Sequence, residues 1–167
     1  MEQSHNNSMR ITDQYFWNLI FFIFFLVLIF MGVIILDGEA YKEYNKLTTT
    51  DFVLISLASF RFIRLVVYDK ITAFFREQFW DAKELKSKVV LVKPPKGPRR
   101  TLADLLSCPW CFGMWASAMV TFFYLLTPYA FFPVLFLALA GVATFLQLLS
   151  NLIGGKAEQL KRETERL

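Results

Sequence analysis

Trp17-Asn-Leu-Ile-Phe-Phe-Ile-Phe-Phe-Leu-Val-Leu-Ile-Phe-Met-Gly-Val-Ile-Ile-Leu36 contains no charged residue, and Asn18 is its only strongly polar side chain. At about 1.5 Å per residue such a stretch, wound as an α-helix, rises about 30 Å and matches the hydrocarbon core of a bilayer. It predicts a membrane span. The apolar run exceeds the roughly 7 to 15 residues of a secretory signal, and Asp37-Gly-Glu-Ala-Tyr41 resembles a cleavage site only weakly, so a retained helix is expected.

The rest of the chain agrees. Of 167 residues 56% are hydrophobic, nineteen are Phe and only 19% are charged, which excludes an ordinary soluble domain of this size. A second span is predicted over 52–67, opened by the capping side chains of Thr48-Thr-Thr-Asp51. A third covers 109–126 and stops at Thr127-Pro128; a fourth covers 131–153 and stops at Gly154-Gly155. Outside these spans Lys and Arg number one before the first, two between first and second, nine between second and third, none between third and fourth, and four in the tail. The positive-inside rule then puts both termini and the basic segment in the cytoplasm. The expected fold is an all-α integral membrane protein of the bacterial inner membrane, with four transmembrane helices, N-in and C-in. Residues 1–50 form a leading polar segment, first helix and external loop; 51–155 form the core, including a basic cytoplasmic segment 69–107; 156–167 form a charged tail.

Within the basic segment, Ile71, Phe74, Phe75 and Phe79 recur at helical spacing up to Trp80, which predicts an amphipathic helix in the headgroup plane. Val89-Val-Leu-Val92 reads either as a strand or hairpin arm or as part of an irregular basic linker, and Lys93 to Arg100 reads as a loop. Thr101-Leu-Ala-Asp104 has capping-box spacing and predicts a helix start. Nine basic residues beside a membrane make anionic lipid headgroups the expected partner rather than nucleic acid.

Arg61 and Arg64 lie inside the second span, where each costs about 2.5 to 3.5 kcal/mol at a central position. Arg64 is shallow enough to snorkel, whereas Arg61, about 12 Å deep, calls for a partner. Asp69 and Asp104 are the obvious acidic candidates. Asp104, Cys108, Cys111 and Trp115 share one helical face if the helix continues through Pro109, and Arg61, Arg64 and Tyr68 form a similar stripe. Two such stripes facing each other would pair the arginines and lower the thiol pKa values. Alternatively Pro109 opens a new helix with Cys108 at its cap, and the positive helix end acts in the same direction.

Cys108-Pro-Trp-Cys111 has the spacing of a dithiol redox pair but lacks the βαβ setting of thioredoxin-like proteins. With Gly113 it also resembles half a zinc knuckle; a four-ligand zinc site would need a homodimer or Asp104 as an added ligand, since the one histidine, His5, lies in the leading segment. The plainest alternative is reduced cysteines packed as small apolar groups beside Trp110 and Trp115. Gly113, Ala116, Ser117 and Ala118, with Ala138, Ala140, Gly141 and Ala143, predict close packing between the third and fourth spans or self-association. Trp17, Trp80 and Tyr129 are expected as interfacial anchors.

The combination Phe60-Arg-Phe-Ile-Arg64, Asp69-Lys-Ile-Thr72 with Arg76, Leu105-Leu-Ser-Cys-Pro-Trp-Cys-Phe-Gly-Met-Trp115 and Gly141 resembles the YjcA-like family of small bacterial membrane proteins. The resemblance covers roughly 52–152, leaving the first helix as an extension. It implies a protein of uncharacterised biochemistry associated with sporulation in bacilli, and it marks Arg61, Arg64, Asp69, Arg76, Cys108, Cys111, Gly113 and Trp115 as motif positions without attaching a reaction to them. The expected function is that of a non-enzymatic membrane component binding lipid or a membrane protein partner, with a cytoplasmic-face thiol or zinc site as the alternative. A transporter ranks third, because no acidic residue sits mid-span to carry a coupled ion.

Overall fold

The computed structural model describes the backbone of residues 11–40, 46–85 and 88–165 and the side chains of 14–40, 46–82 and 91–165. His5, named above as the one histidine, lies outside the described residues. The elements are α1 (Ile11–Glu39), α2 (Thr49–Val67), α3 (Ala73–Glu77), β1 (Asp81–Leu85), β2 (Lys88–Val92), α4 (Pro98–Ser107), α5 (Pro109–Leu126) and α6 (Phe131–Thr164).

Three of the helices, α1, α5 and α6, are long and apolar enough to cross a membrane. α2 has the length, at 19 residues, but carries Asp51, Arg61 and Arg64. Its placement accounts for that composition: α2 packs chiefly against α6 and α5 and is the centre of the bundle. The close approach to α6 requires glycine, because a Cβ on Gly141 would stand 2.6 Å from the Leu57 carbonyl oxygen. Ala58 and Ala138 are buried in the same contact. The small residues of α6 therefore serve α2 rather than α5, contrary to the expected packing between the third and fourth spans. α5 and α6, though joined through the short turn Pro128–Ala130, touch little. A Cβ on Gly113 of α5 would stand 3.4 Å from the Ile63 side chain of α2, while Ser117 is exposed.

α1 lies against α5 and α4 at the flank of the bundle. The Phe25 and Trp115 ring centroids are 4.7 Å apart, and further along a Cβ on Gly32 would stand 3.4 Å from the Phe122 ring. α1 therefore runs in the same direction as α5. Most of its apolar side chains are exposed, as are those on the outer faces of α5 and α6. An exposed apolar surface this extensive belongs to a protein solvated by lipid.

Three sequence expectations change. α6 does not stop at Gly154-Gly155 but continues to Thr164, so the fourth span runs without a break into the charged tail. Helix-stopping glycines adopt positive φ, and among the described glycines only Gly97 does. The sequence beyond the pair favours continuation, with Arg162 bonded to Glu158 at 2.6 Å across one turn. Second, the interfacial helix is confined to a 3₁₀ turn, Lys70–Thr72, and the single turn of α3. Third, the fold is not purely helical. β1 and β2 pair antiparallel, with Asp81 opposite Val92 and Leu85 opposite Lys88, so the hairpin-arm reading of Val89–Val92 holds. Its partner strand has no apolar run to announce it.

Candidate functional site

At the end of the bundle where α2 finishes, the chain must satisfy the last carbonyls of that helix. Thr72 Oγ1 donates to the Leu65 carbonyl, and to that of Asp69 at 3.1 Å. The Arg76 guanidinium donates to the carbonyls of Val66, at 3.1 Å, and Val67. Arg61 Nη2 reaches Asp69 Oδ2 at 3.0 Å, with both side chains mostly covered. The Arg64 guanidinium lies 5.0 Å from the centroid of the Tyr68 ring, a cation–π contact. Asp69, Thr72 and Arg76 thus form a structural cap that also holds the deeper arginine. Asp69 was rightly named as a partner for Arg61; Asp104 is not one.

Asp104 instead accepts from Lys93 Nζ at 2.8 Å and from Arg100 Nε at 2.9 Å. Partial burial pushes its pKa up, but the hydrogen bonds and charges of Lys93 and Arg100 outweigh this and hold the carboxyl below its usual range. Its helix begins four residues earlier than the capping-box spacing suggested. Gly97, at φ +97°, precedes Pro98 at the first helical position, and Asp104 faces the two cations instead of capping.

The backbone breaks between Ser107 and Pro109, deciding between the two geometries left open. Cys108 is the N-cap of α5, its sulfur accepting from the Cys111 backbone N–H at 3.3 Å, and Pro109 is the first residue of the new helix. Donation from the Cys111 thiol, and then from its backbone N–H, lowers the Cys108 pKa. The positive neighbour is Lys93 rather than Arg61 or Arg64. The expected face-to-face arrangement of the two stripes does not occur.

What the break preserves is convergence. Asp104, Cys108, Cys111 and Trp115 all line one cavity of about 530 Å³, whose other wall is α1 through Asn18, Phe22 and Phe25. The thiols are not packed away: Cys111 is exposed, Cys108 is half-buried and Trp110 is 87% exposed. No group of three or more His, Cys, Asp or Glu side chains placed to hold a metal occurs among the described residues. The cysteine pair alone is too few ligands for a closed zinc site.

Two polar clusters escaped the sequence reading. Thr101 Oγ1 donates to Asn18 Oδ1 at 3.0 Å and accepts from Gln14 Nε2 at 2.9 Å, tying α1 to α4. At the opposite end of the bundle, buried Asp51 accepts from the Tyr124 hydroxyl and from both the backbone N–H and hydroxyl of Thr48. Asp51 signalled itself only as a capping residue, which it also is.

Residues 54–150 match a family model described as Protein of unknown function (DUF1360). The chain is 33% identical over 104 residues to UPF0713 protein YngL of Bacillus subtilis (strain 168), an overlap covering 62% of this chain and 80% of that protein. It is 37% identical over 103 residues to Sporulation protein YjcA of the same organism, covering 58% of this chain and 87% of that protein. No solved structure matches. The family match begins inside α2 and ends inside α6, so α1 lies outside it.

Proposed function

The chain belongs to the DUF1360 family of proteins of unknown function, and from that premise we propose that it is a non-enzymatic, four-span component of the bacterial cytoplasmic membrane whose basic cytoplasmic segment binds anionic lipid headgroups. The observation that carries the reading lies just past the end of α2. Ile71 and Phe74 are 74% and 70% exposed and Phe75 about half exposed, within a segment holding nine Lys and Arg. Exposed aromatic and aliphatic groups beside cations suit a headgroup layer, where rings enter the acyl boundary and cations meet phosphate. Packing of α2 between α5 and α6 supports counting it among the spans, because Arg61 is paired with Asp69 and Arg64 lies over the Tyr68 ring. The relative named as a sporulation protein supports placing this role in spore formation.

Topology and lipid contact are testable together. In a Cys108→Ser/Cys111→Ser background, a cysteine at Lys46 should react with an impermeant maleimide in intact cells, and one at Lys96 only after permeabilisation. A solvatochromic dye on Phe75→Cys should emit further to the blue in nanodiscs containing phosphatidylglycerol than in pure phosphatidylcholine discs. Labelling of both sites from the same side, or identical emission in both lipids, would refute the reading.

A further inference from the structure

The cavity between α1, α4 and α5 grades from polar to apolar along both of its long walls. On α1 it passes from Asn18, bonded to Thr101, to Phe22 and Phe25; on α5 it passes from Cys108 to Met114 and Trp115. The two helices run in the same direction, so both gradients point away from the basic segment and along the bundle axis. At the polar end Lys93 faces the cavity. Its carboxylate partner, Asp104, is shared with Arg100, which stands outside the cavity, so Asp104 offsets the Lys93 charge only in part. At the apolar end Phe22 and Met114 are 55% and 59% exposed, leaving the cavity open sideways toward the surroundings of the bundle. A volume of about 530 Å³ is in the range of small-molecule sites.

We infer that this cavity seats one anionic phospholipid of the cytoplasmic leaflet, its phosphate beside Lys93 and an acyl chain along Phe22, Phe25, Met114 and Trp115. The inference rests on the proposed orientation and deepens it from a basic surface to a built site. A soluble anion would use the polar end and leave the aromatic wall wet; a neutral lipid would leave the positive mouth unmatched. Cys111, exposed on the cavity wall, is a native reporter of occupancy.

The test uses the purified full chain in a neutral detergent, with phosphatidylglycerol or phosphatidylcholine added, read by native mass spectrometry and by the rate of Cys111 alkylation in a Cys108→Ser variant. One phosphatidylglycerol should be retained in preference to phosphatidylcholine and should slow alkylation. Inorganic phosphate should not slow it. Lys93→Gln should reduce the preference about fivefold, the worth of one basic residue at an anionic surface. Met114→Trp, which fills the lateral opening, should reduce retention of both lipids. A triple variant outside the cavity, Lys70→Gln/Lys96→Gln/Arg99→Gln, separates the two readings. If it abolishes the preference while Lys93→Gln does not, the basic surface stands and the seat falls. If the wild type shows no preference, both fall. Slowing by inorganic phosphate equal to that by phosphatidylglycerol would make this an anion site and overturn the lipid assignment.

Discussion

The Arg76 guanidinium donates to the Val66 carbonyl oxygen at 3.1 Å, so a residue ten positions along the chain closes the helix that carries the half-buried Arg61 and Arg64. Together with Thr72 it satisfies carbonyls that would otherwise face an apolar layer. A motif that looks functional on paper is, at these two positions, a cap.

Arg76→Gln should therefore destabilise the folded protein by about 1.5 to 3 kcal/mol, the worth of hydrogen bonds from a charged donor. The measurement is thermal unfolding in detergent. Arg76→Lys should recover part of the loss, since an ammonium can reach one carbonyl but lacks the fork that serves two. Equal stability for Arg76→Gln and wild type would remove the capping role.

Gly141→Ala should cost about 1 to 3 kcal/mol, because the added methyl meets backbone 2.6 Å away and the helices must part. Gly154→Ala meets nothing within 4 Å and should raise stability or helicity by up to about 1 kcal/mol. The opposite signs of these two identical changes, read by unfolding and circular dichroism, check both the α2–α6 contact and the uninterrupted α6.

Tyr124→Phe removes a buried hydroxyl donor to Asp51 and should cost about 1 to 3 kcal/mol. Unfolding midpoints that do not move would show that the hydroxyl contributes nothing to holding α5 against the start of α2.

The lowered pKa of Asp104 has a pH signature. Its folded-state value lies below the unfolded one, so its contribution is present above the ordinary carboxylate range and is lost as pH falls through the folded value. Stability should decline on the acid side, and Asp104→Asn should flatten that part of the profile while leaving the protein less stable near neutrality.

Cys108 should alkylate at lower pH than an ordinary thiol, because Cys111 donates to its sulfur through both side chain and backbone. In a Cys111→Ala chain the side-chain donor is gone and the rate profile of Cys108 should shift to higher pH. Coincident profiles would contradict the contact.

The boundaries of α5 and the start of α2 were legible because local chemistry specifies them. Pro109 suits only a first helical turn, Thr127-Pro128 ends a helix, and Thr48 with Asp51 makes a reciprocal cap. The pairing of Arg61 with Asp69 was legible as one of two choices. Where local signals misled, a competing local interaction won: Gly97-Pro98 began α4 ahead of Thr101, and good helix formers carried α6 through two glycines.

By itself the sequence determined that the chain is a membrane protein of helices, since uncharged runs of spanning length leave no other way to satisfy the backbone in hydrocarbon. Which helix lies at the centre, which face of α5 meets α1, and that Cys108 and Cys111 share a cavity with Lys93 instead of the arginines were decided only by the tertiary structure. Periodicity shows which residues share a face, but the face opposite is chosen by shape, and here a 2.6 Å approach at Gly141 draws α2 onto α6 and leaves α1 to wall the cavity.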